Sequence, residues 1–276
     1  MRLKISTLLI LAVFLVGAIL TSQSFQPAFA TSSNLADVCV LWLGGSYVGT
    51  TCTVSTSGGF IAGGDELVIP SGTTLVISNN ADTGISSFGT ISNSGTITVA
   101  NSGSSSTGIF NGGFLTNNLG ATIAVVNSGS NSIGITNEGT ITNSGTITIS
   151  NTAGTGIENP LFGTLDNNFA GTITNSGTIT NLGIINNKCG STYSGTTLTG
   201  IVNECAPCVY SGSVNWTISS SCQLSSDVNV TGNVTVQSPS VLVIPNGKTL
   251  NIDFANQHLL INSGSKVLIK SGGKIF

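Results

Sequence analysis

Gly139-Thr-Ile-Thr-Asn-Ser-Gly-Thr-Ile147 is the stretch that decides the fold. The same nine residues begin again at Gly171, and a copy differing only at Ser92 begins at Gly89. A looser version, Gly-Ala-Thr-Ile-Ala-Val, starts at Gly120. Recurrence of a phrase along a chain is the mark of a repeat architecture. Within and beside the phrases, Thr-Ile-Thr-Val at 96–99 and Thr-Ile-Thr-Ile at 146–149 alternate polar and apolar residues. On a strand this places Ile97, Val99, Ile147 and Ile149 on one face and the threonines on the other. Asn and Gly between the runs tolerate the left-handed backbone that a sharp corner demands.

A wider period encloses the phrase. Gly84-Ile85, Gly108-Ile109, Gly134-Ile135, Gly156-Ile157 and Gly183-Ile184 lie 24, 26, 22 and 27 residues apart. About 25 residues would therefore form one coil of a parallel β-helix, with Ile and Val inward and five coils stacked over roughly 24 Å. Asn at equivalent corners can stack as amide ladders along the axis. An antiparallel sandwich also has short strands between turn signals, but it does not require near-identical phrases at corresponding sites. No long stretch outside the N-terminus has the 3.6-residue period of a helix. The predicted fold class is all-β, a parallel β-helix (β-solenoid) with disulfide-containing caps.

The six cysteines flank the phrases. Cys39 and Cys52 precede them, and Cys189, Cys205, Cys208 and Cys222 follow. After Cys52 comes Leu67-Val-Ile-Pro-Ser-Gly-Thr-Thr-Leu-Val-Ile77, and after Cys222 comes Leu242-Val-Ile-Pro-Asn-Gly-Lys-Thr-Leu-Asn-Ile252. The eleven-residue segments match at eight positions, and each preceding cysteine pair encloses a Trp, Trp42 or Trp216. This reads as an internal duplication: residues 31–188 form a cysteine-capped β-helix carrying the inserted repeats, and 189–276 a second cysteine module with a short β-helical stretch. The modular reading suggests sequential pairing, 39–52, 189–205 and 208–222, among the 15 connectivities six cysteines allow. A solenoid end exposes strand edges and core, so a disulfide-closed hairpin carrying Trp42 would suit the N-terminal cap. Cys205-Ala-Pro-Cys208 has a thioredoxin-type spacing, but no helical pattern follows it to lower a thiol pKa. A zinc site would need a second close ligand pair.

Residues 1–30 have the layout of a secretory signal peptide: Arg2 and Lys4, an apolar run from Thr7 to Leu20, and Ala28-Phe29-Ala30 as cleavage site. Secretion makes disulfides the default. Cleavage would leave five lysines against ten acids, a net charge of −5, and no arginine. Nucleic-acid binding needs a basic surface and is not expected. No later segment has the length of a membrane span. Charged residues make up only 6% of the chain, so Ser, Thr, Asn and Gly must supply the polar surface.

Candidate chemistry is sparse. Glycoside hydrolysis needs paired carboxylates, and the one adjacent pair, Asp65-Glu66, would point to opposite faces of a strand. Glu158 and Asp166 flank Pro160 in a non-repeating insertion, well short of the six to eight oxygens calcium prefers. One histidine, His258, cannot complete a Ser-His-Asp arrangement. No catalytic, cofactor or metal residue is assigned, and the chain is read as a non-enzyme. Asn215-Trp-Thr, Asn229-Val-Thr and Asn233-Val-Thr are glycosylation sequons, all in the second module. Trp42, Tyr47, Tyr193, Tyr210 and Trp216 fall within or beside the cysteine modules, where they would fill cap cores.

At the Gly-Thr-Ile-Thr-Asn-Ser-Gly-Thr-Ile phrases, over roughly residues 83–187, the chain resembles the repetitive β-helical surface proteins and adhesins of prokaryotes. Its cysteine modules resemble those of secreted envelope proteins, archaeal ones among them. It departs from large adhesins in its short length and in lacking a recognisable anchor. The resemblance implies a secreted, non-catalytic surface protein of the cell envelope with a structural or adhesive role. Expected partners are surface glycans or envelope proteins. The alternative is a carbohydrate-binding or polysaccharide-processing β-helix. Four of the five mature lysines, Lys248, Lys266, Lys270 and Lys274, lie in the last 29 residues. Lysines on an edge strand block further pairing, which predicts a monomer.

Overall fold

The structure, a computed structural model, describes residues 35–276 apart from 42, 56–57, 80–82, 152–153, 196–200, 204 and 213. The signal segment, Trp42, Asp82 and Glu204 lie outside the described residues. The fold is a parallel β-solenoid in two stacks, each bounded by three sheets.

The first stack has sheets of eight, seven and six strands. Sheet A is seven-stranded and runs from Glu66–Ile69 to Ile201–Asn203. Sheet B begins with an antiparallel pair, Ser46–Val48 on Thr51–Val54, and continues in parallel to Thr192–Gly195. Sheet C runs from Gly59–Ile61 to Thr178–Asn181. One coil is a strand from each sheet. Thr90–Asn93, Phe114–Asn117, Thr140–Asn143 and Thr164–Asn167 stack with identical positions in register. The flanking segments join the repeats in one continuous stack, so there are more rungs than the five the Gly-Ile markers suggest.

Alternation explains the core. Ile97, Val99, Ile147 and Ile149 all point inward and are buried. They stack with Leu75 and Ile77, and with Ile123 and Val125, in adjacent coils. Each such side chain contributes about 1.5–3 kcal/mol on leaving water. The threonines between them face out.

Two features of the sequence sit differently in space. The phrase from Gly89 and that from Gly139 each cover a sheet A strand and a sheet B strand, but the copy from Gly171 covers sheet B (Thr172–Asn175) and sheet C (Thr178–Asn181). The intervals explain this: 89 to 139 is 50 residues, two coils, whereas 139 to 171 is 32, one coil plus one face. The phrase encodes strand, corner and strand, whichever pair of faces it spans. Likewise Gly84, Gly108, Gly134 and Gly156 form one column in sheet C, but the fifth marker does not, because Ile157 pairs with Ile179 and Ile184 starts a sheet A strand. That column requires glycine by close approach. A Cβ on Gly108 would lie 2.5 Å from Val125 Cγ1 and 2.6 Å from the Gly134 carbonyl oxygen.

The ladder asparagines stack as expected but do not take left-handed backbone, which among the described corner asparagines is found at Asn131. Asn93, Asn117, Asn143 and Asn167 turn their side chains inward and are essentially fully buried. Each Nδ2 donates to the next Oδ1 at 2.8 Å, ending at Asn187. A second ladder links Asn111, Asn137, Asn159 and Asn181, again at 2.8 Å. Left-handed residues occupy the longer corners between sheets A and B, at Gly72, Gly120, Ala170 and Gly190, and also B–C corners at Ser105 and Asn131 and a C–A corner at Gly64. Short Ser-Gly corners at 94–95 and 144–145 alternate with the long A–B ones as far as 168–171, after which the corner 188–191 is long again; the two short corners are 50 residues apart.

The N-terminal end is closed by helix α1 (Leu35–Leu41), which buries Leu35, Val38 and Cys39 on the first core. The disulfide Cys39–Cys52 (Cα–Cα 5.6 Å) staples it to the outermost parallel strand. The cap is thus helix plus hairpin, not a hairpin closed on itself.

The second stack has its own sheets, D, E and F, of four, three and three strands, and its own core. Trp216 is buried there, donates Nε1–H to the Val209 carbonyl at 3.2 Å, and packs 5.5 Å from the Tyr210 ring. The duplicated segments take matching structures: strand, four-residue corner with a left-handed Gly72 or Gly247, strand. Disulfides Cys189–Cys205 and Cys208–Cys222 bracket the crossing between stacks. Cys205 and Cys208 therefore bond to other partners, and Ala206–Pro207 between them is a short strand, not a redox helix start.

Candidate functional site

Register decides which outward side chains become neighbours. At the edge where sheet C turns into sheet A, three outward columns run along the first stack. On sheet C the column is Phe60, Ser86, Phe110, Thr136, Glu158 and Thr180. On sheet A it begins Glu66, Thr90, Phe114 and ends Thr164, Ile184. Between them the turn presents Phe88, Gly112, Glu138 and Leu182, with Leu161 and Phe162 in the insertion after Pro160.

The Phe60, Phe88 and Phe110 rings form a column with centroids 6.1 and 5.4 Å apart. Gly112 leaves the space for it, because a Cβ there would lie 2.9 Å from the Phe88 ring. Nine large apolar residues between 58 and 187 are exposed, and seven of them lie on this edge; Leu119 and Val126 lie elsewhere. Exposure reaches 84% at Phe162 and 71% at Leu182, so the described residues leave the ridge uncovered. Contiguous apolar surface of this kind marks an interaction site.

Four of the six described acids of the first stack lie on the same ridge. Glu66 and Asp65 stand at its N-terminal end, Glu138 and Glu158 beyond the aromatic column. Asp166 is apart, on the middle of sheet A, where it pairs with Lys188 at 3.5 Å and accepts a 2.7 Å bond from Asn186 Nδ2. This is the only ion pair among the described residues. Glu158 and Asp166 thus belong to different sheets and do not converge. Among the described residues there is no cluster of three metal-ligating side chains.

A concavity of about 610 Å³ lies between the stacks. Lys188, Asn168 and Phe169 line it from the first stack, Ser221, Val241 and Lys266 from the second. It belongs to the clasp that holds the stacks together. The Lys266 ammonium sits 4.4 Å from the Phe169 ring centroid, and Lys270 Nζ donates to the Ser191 carbonyl at 3.3 Å. Val243 is fully buried although it is not part of the second core. Two of the lysines expected to guard an edge are therefore engaged in the clasp.

The four described aromatic residues singled out by sequence pack on the two cores. Trp216 and Tyr210 belong to the second core, while Tyr47 and Tyr193 pack on the first. The exposed phenylalanines were not apparent from sequence, because Phe60, Phe88, Phe110 and Phe114 share no fixed spacing. Among the sequons, Asn215 and Asn229 are exposed and Asn233 is half-buried. Asn215 Oδ1 accepts from the Asn233 amide at 2.9 Å, and Asn233 Oδ1 from the His258 amide at 3.0 Å.

The chain is thus a two-stack parallel β-solenoid with three disulfides. No family model, no curated protein and no solved structure matches it. No helix among the described residues is long and apolar enough to cross a membrane.

Proposed function

We propose that this is a secreted, non-catalytic protein of the cell surface whose role is structural and adhesive. The observation that carries the reading is the apolar ridge along the C–A edge, on a stack whose other outward positions are mostly Thr, Ser and Asn. Three disulfides and the N-terminal signal layout support an oxidising, extracellular setting. The ladders and stapled cap supply the rigidity that a display surface needs.

The test is fractionation of cells secreting the full chain, with the double variant Phe88→Ser/Phe114→Ser as comparison. Both side chains are exposed, so folding should survive. The expected result is retention of the wild type with the envelope and release of the variant into the medium. Equal partition of the two would defeat the adhesive reading.

The Phe60–Phe88–Phe110 column also favours a second reading, carbohydrate binding by ring stacking. A glycan array on the wild type and the same variant tests it, with phenylalanine-dependent glycan binding as its signature.

A further inference from the structure

Resting on the adhesive reading, we propose that the C–A ridge docks a protein segment that is both apolar and basic. The ridge has a pattern, not merely exposure. Phe60, Phe88, Phe110 and Phe114 occupy its first three coils, and Leu161, Phe162, Leu182 and Ile184 its last two. Carboxylates flank the aromatic group: Asp65 and Glu66 in the same first coil as Phe60, Glu138 and Glu158 in the coils after Phe110 and Phe114.

The opposite sign is missing there. The described lysines are Lys188, at the A–B corner, and Lys248, Lys266, Lys270 and Lys274, all in the second stack. Of the six described acids of the first stack, Asp37 belongs to the cap helix and Asp166 pairs with Lys188 on sheet A, while Asp65, Glu66, Glu138 and Glu158 lie on this one edge. Successive coils are about 4.8 Å apart, so these carboxylates are within reach of a single extended segment. Such a field recruits a basic partner and repels an acidic one. The phenylalanine faces add to this, since an aromatic ring attracts Lys or Arg over its face.

Apolar protein side chains fit better than sugar. A pyranose stacks on a flat ring, whereas Leu161, Leu182 and Ile184 offer none. Apolar side chains of a polypeptide cover aromatic and aliphatic parts alike. The convex edge also suits a partner that supplies the groove.

The experiment uses the full disulfide-bonded chain and three labelled probes, read by fluorescence anisotropy. The probes are a short peptide of alternating Lys and Leu, its Glu–Leu counterpart and a chito-oligosaccharide. The Lys–Leu peptide should bind, weakening as salt rises, and the Glu–Leu peptide should not. Phe88→Ser/Phe114→Ser should weaken binding about tenfold or more. Glu138→Gln/Glu158→Gln should weaken it severalfold and flatten the salt dependence. Leu119→Ser/Val126→Ser, exposed on other edges, should leave it unchanged.

Equal binding of the two peptides, tighter binding of the oligosaccharide, or indifference to the ridge variants would each overturn the proposal. The adhesive reading fails separately. If the phenylalanine variant is released from cells while the glutamate variant and peptide sign have no effect, adhesion stands and the partner's chemistry falls.

Discussion

Asn143 shows how much one corner residue does. Its Nδ2 donates to Asn167 Oδ1 at 2.8 Å and to the Thr172 carbonyl at 3.2 Å, while its Oδ1 accepts from Asn117. The amide therefore ties three successive coils at a place without access to water. Asn143→Ala strands an acceptor on Asn167 and a carbonyl on Thr172, at about 1–3 kcal/mol for each buried group left unpaired. Asn181, at the partly exposed end of the other ladder, should lose less than half as much when replaced by Ala. Urea titration of the two variants checks this, and equal losses would show that burial adds nothing to the ladder. Ala170 makes the opposite point. It holds φ of 64° at a corner where Gly72, Gly120 and Gly190 take the same left-handed conformation. A side chain there costs about 1–2 kcal/mol, so Ala170→Gly should raise the melting temperature and Gly120→Ala should lower it.

At the scale of strands and corners, much was legible and the reasons differ by feature. Period-2 alternation of Ile and Thr identifies the inward face directly, because side chains on a strand have no third direction. The residue type of the ladders was legible too, but not their geometry, since Asn serves equally as a left-handed corner and as an inward amide. Only the buried column tells these apart. The register of the Gly171 phrase was hidden because the same nine residues fit any two adjoining faces. The ridge was hidden more deeply, since its members become neighbours only once each coil's length is known. The cap followed chemistry visible in Cys39 and Cys52, but α1 has only seven residues, too few for a helical period to show. Replacing both cysteines by Ser should destabilise the cap by about 2–4 kcal/mol. The loss should appear first in hydrogen exchange of Thr51–Val54, ahead of the inner strands. In sheet C, Gly108→Ala would force a methyl between Val125 and the Gly134 carbonyl and should cost about 1–3 kcal/mol by overpacking.

The whole molecule is two stacks clasped at one place. The long A–B corners make this possible: they carry Phe169, which receives Lys266, and Cys189 and Gly190, beside which Leu268 packs. Ser144, on a short Ser-Gly corner, lines the concavity between the stacks as well. The alternation of corners has another consequence, for growth. Between the corners at 94–95 and 144–145 one short-corner coil and one long-corner coil make a unit of 50 residues, and in this part of the stack length can change by whole units. Excising residues 94–143 would join Asn93 to Ser144 and regenerate the phrase at Gly89 without a scar. The product should keep its cap, its clasp and a single cooperative melt, while small-angle scattering records a molecule about 10 Å shorter. Reach would thus be set by duplication or loss of a fixed module, with both ends left untouched.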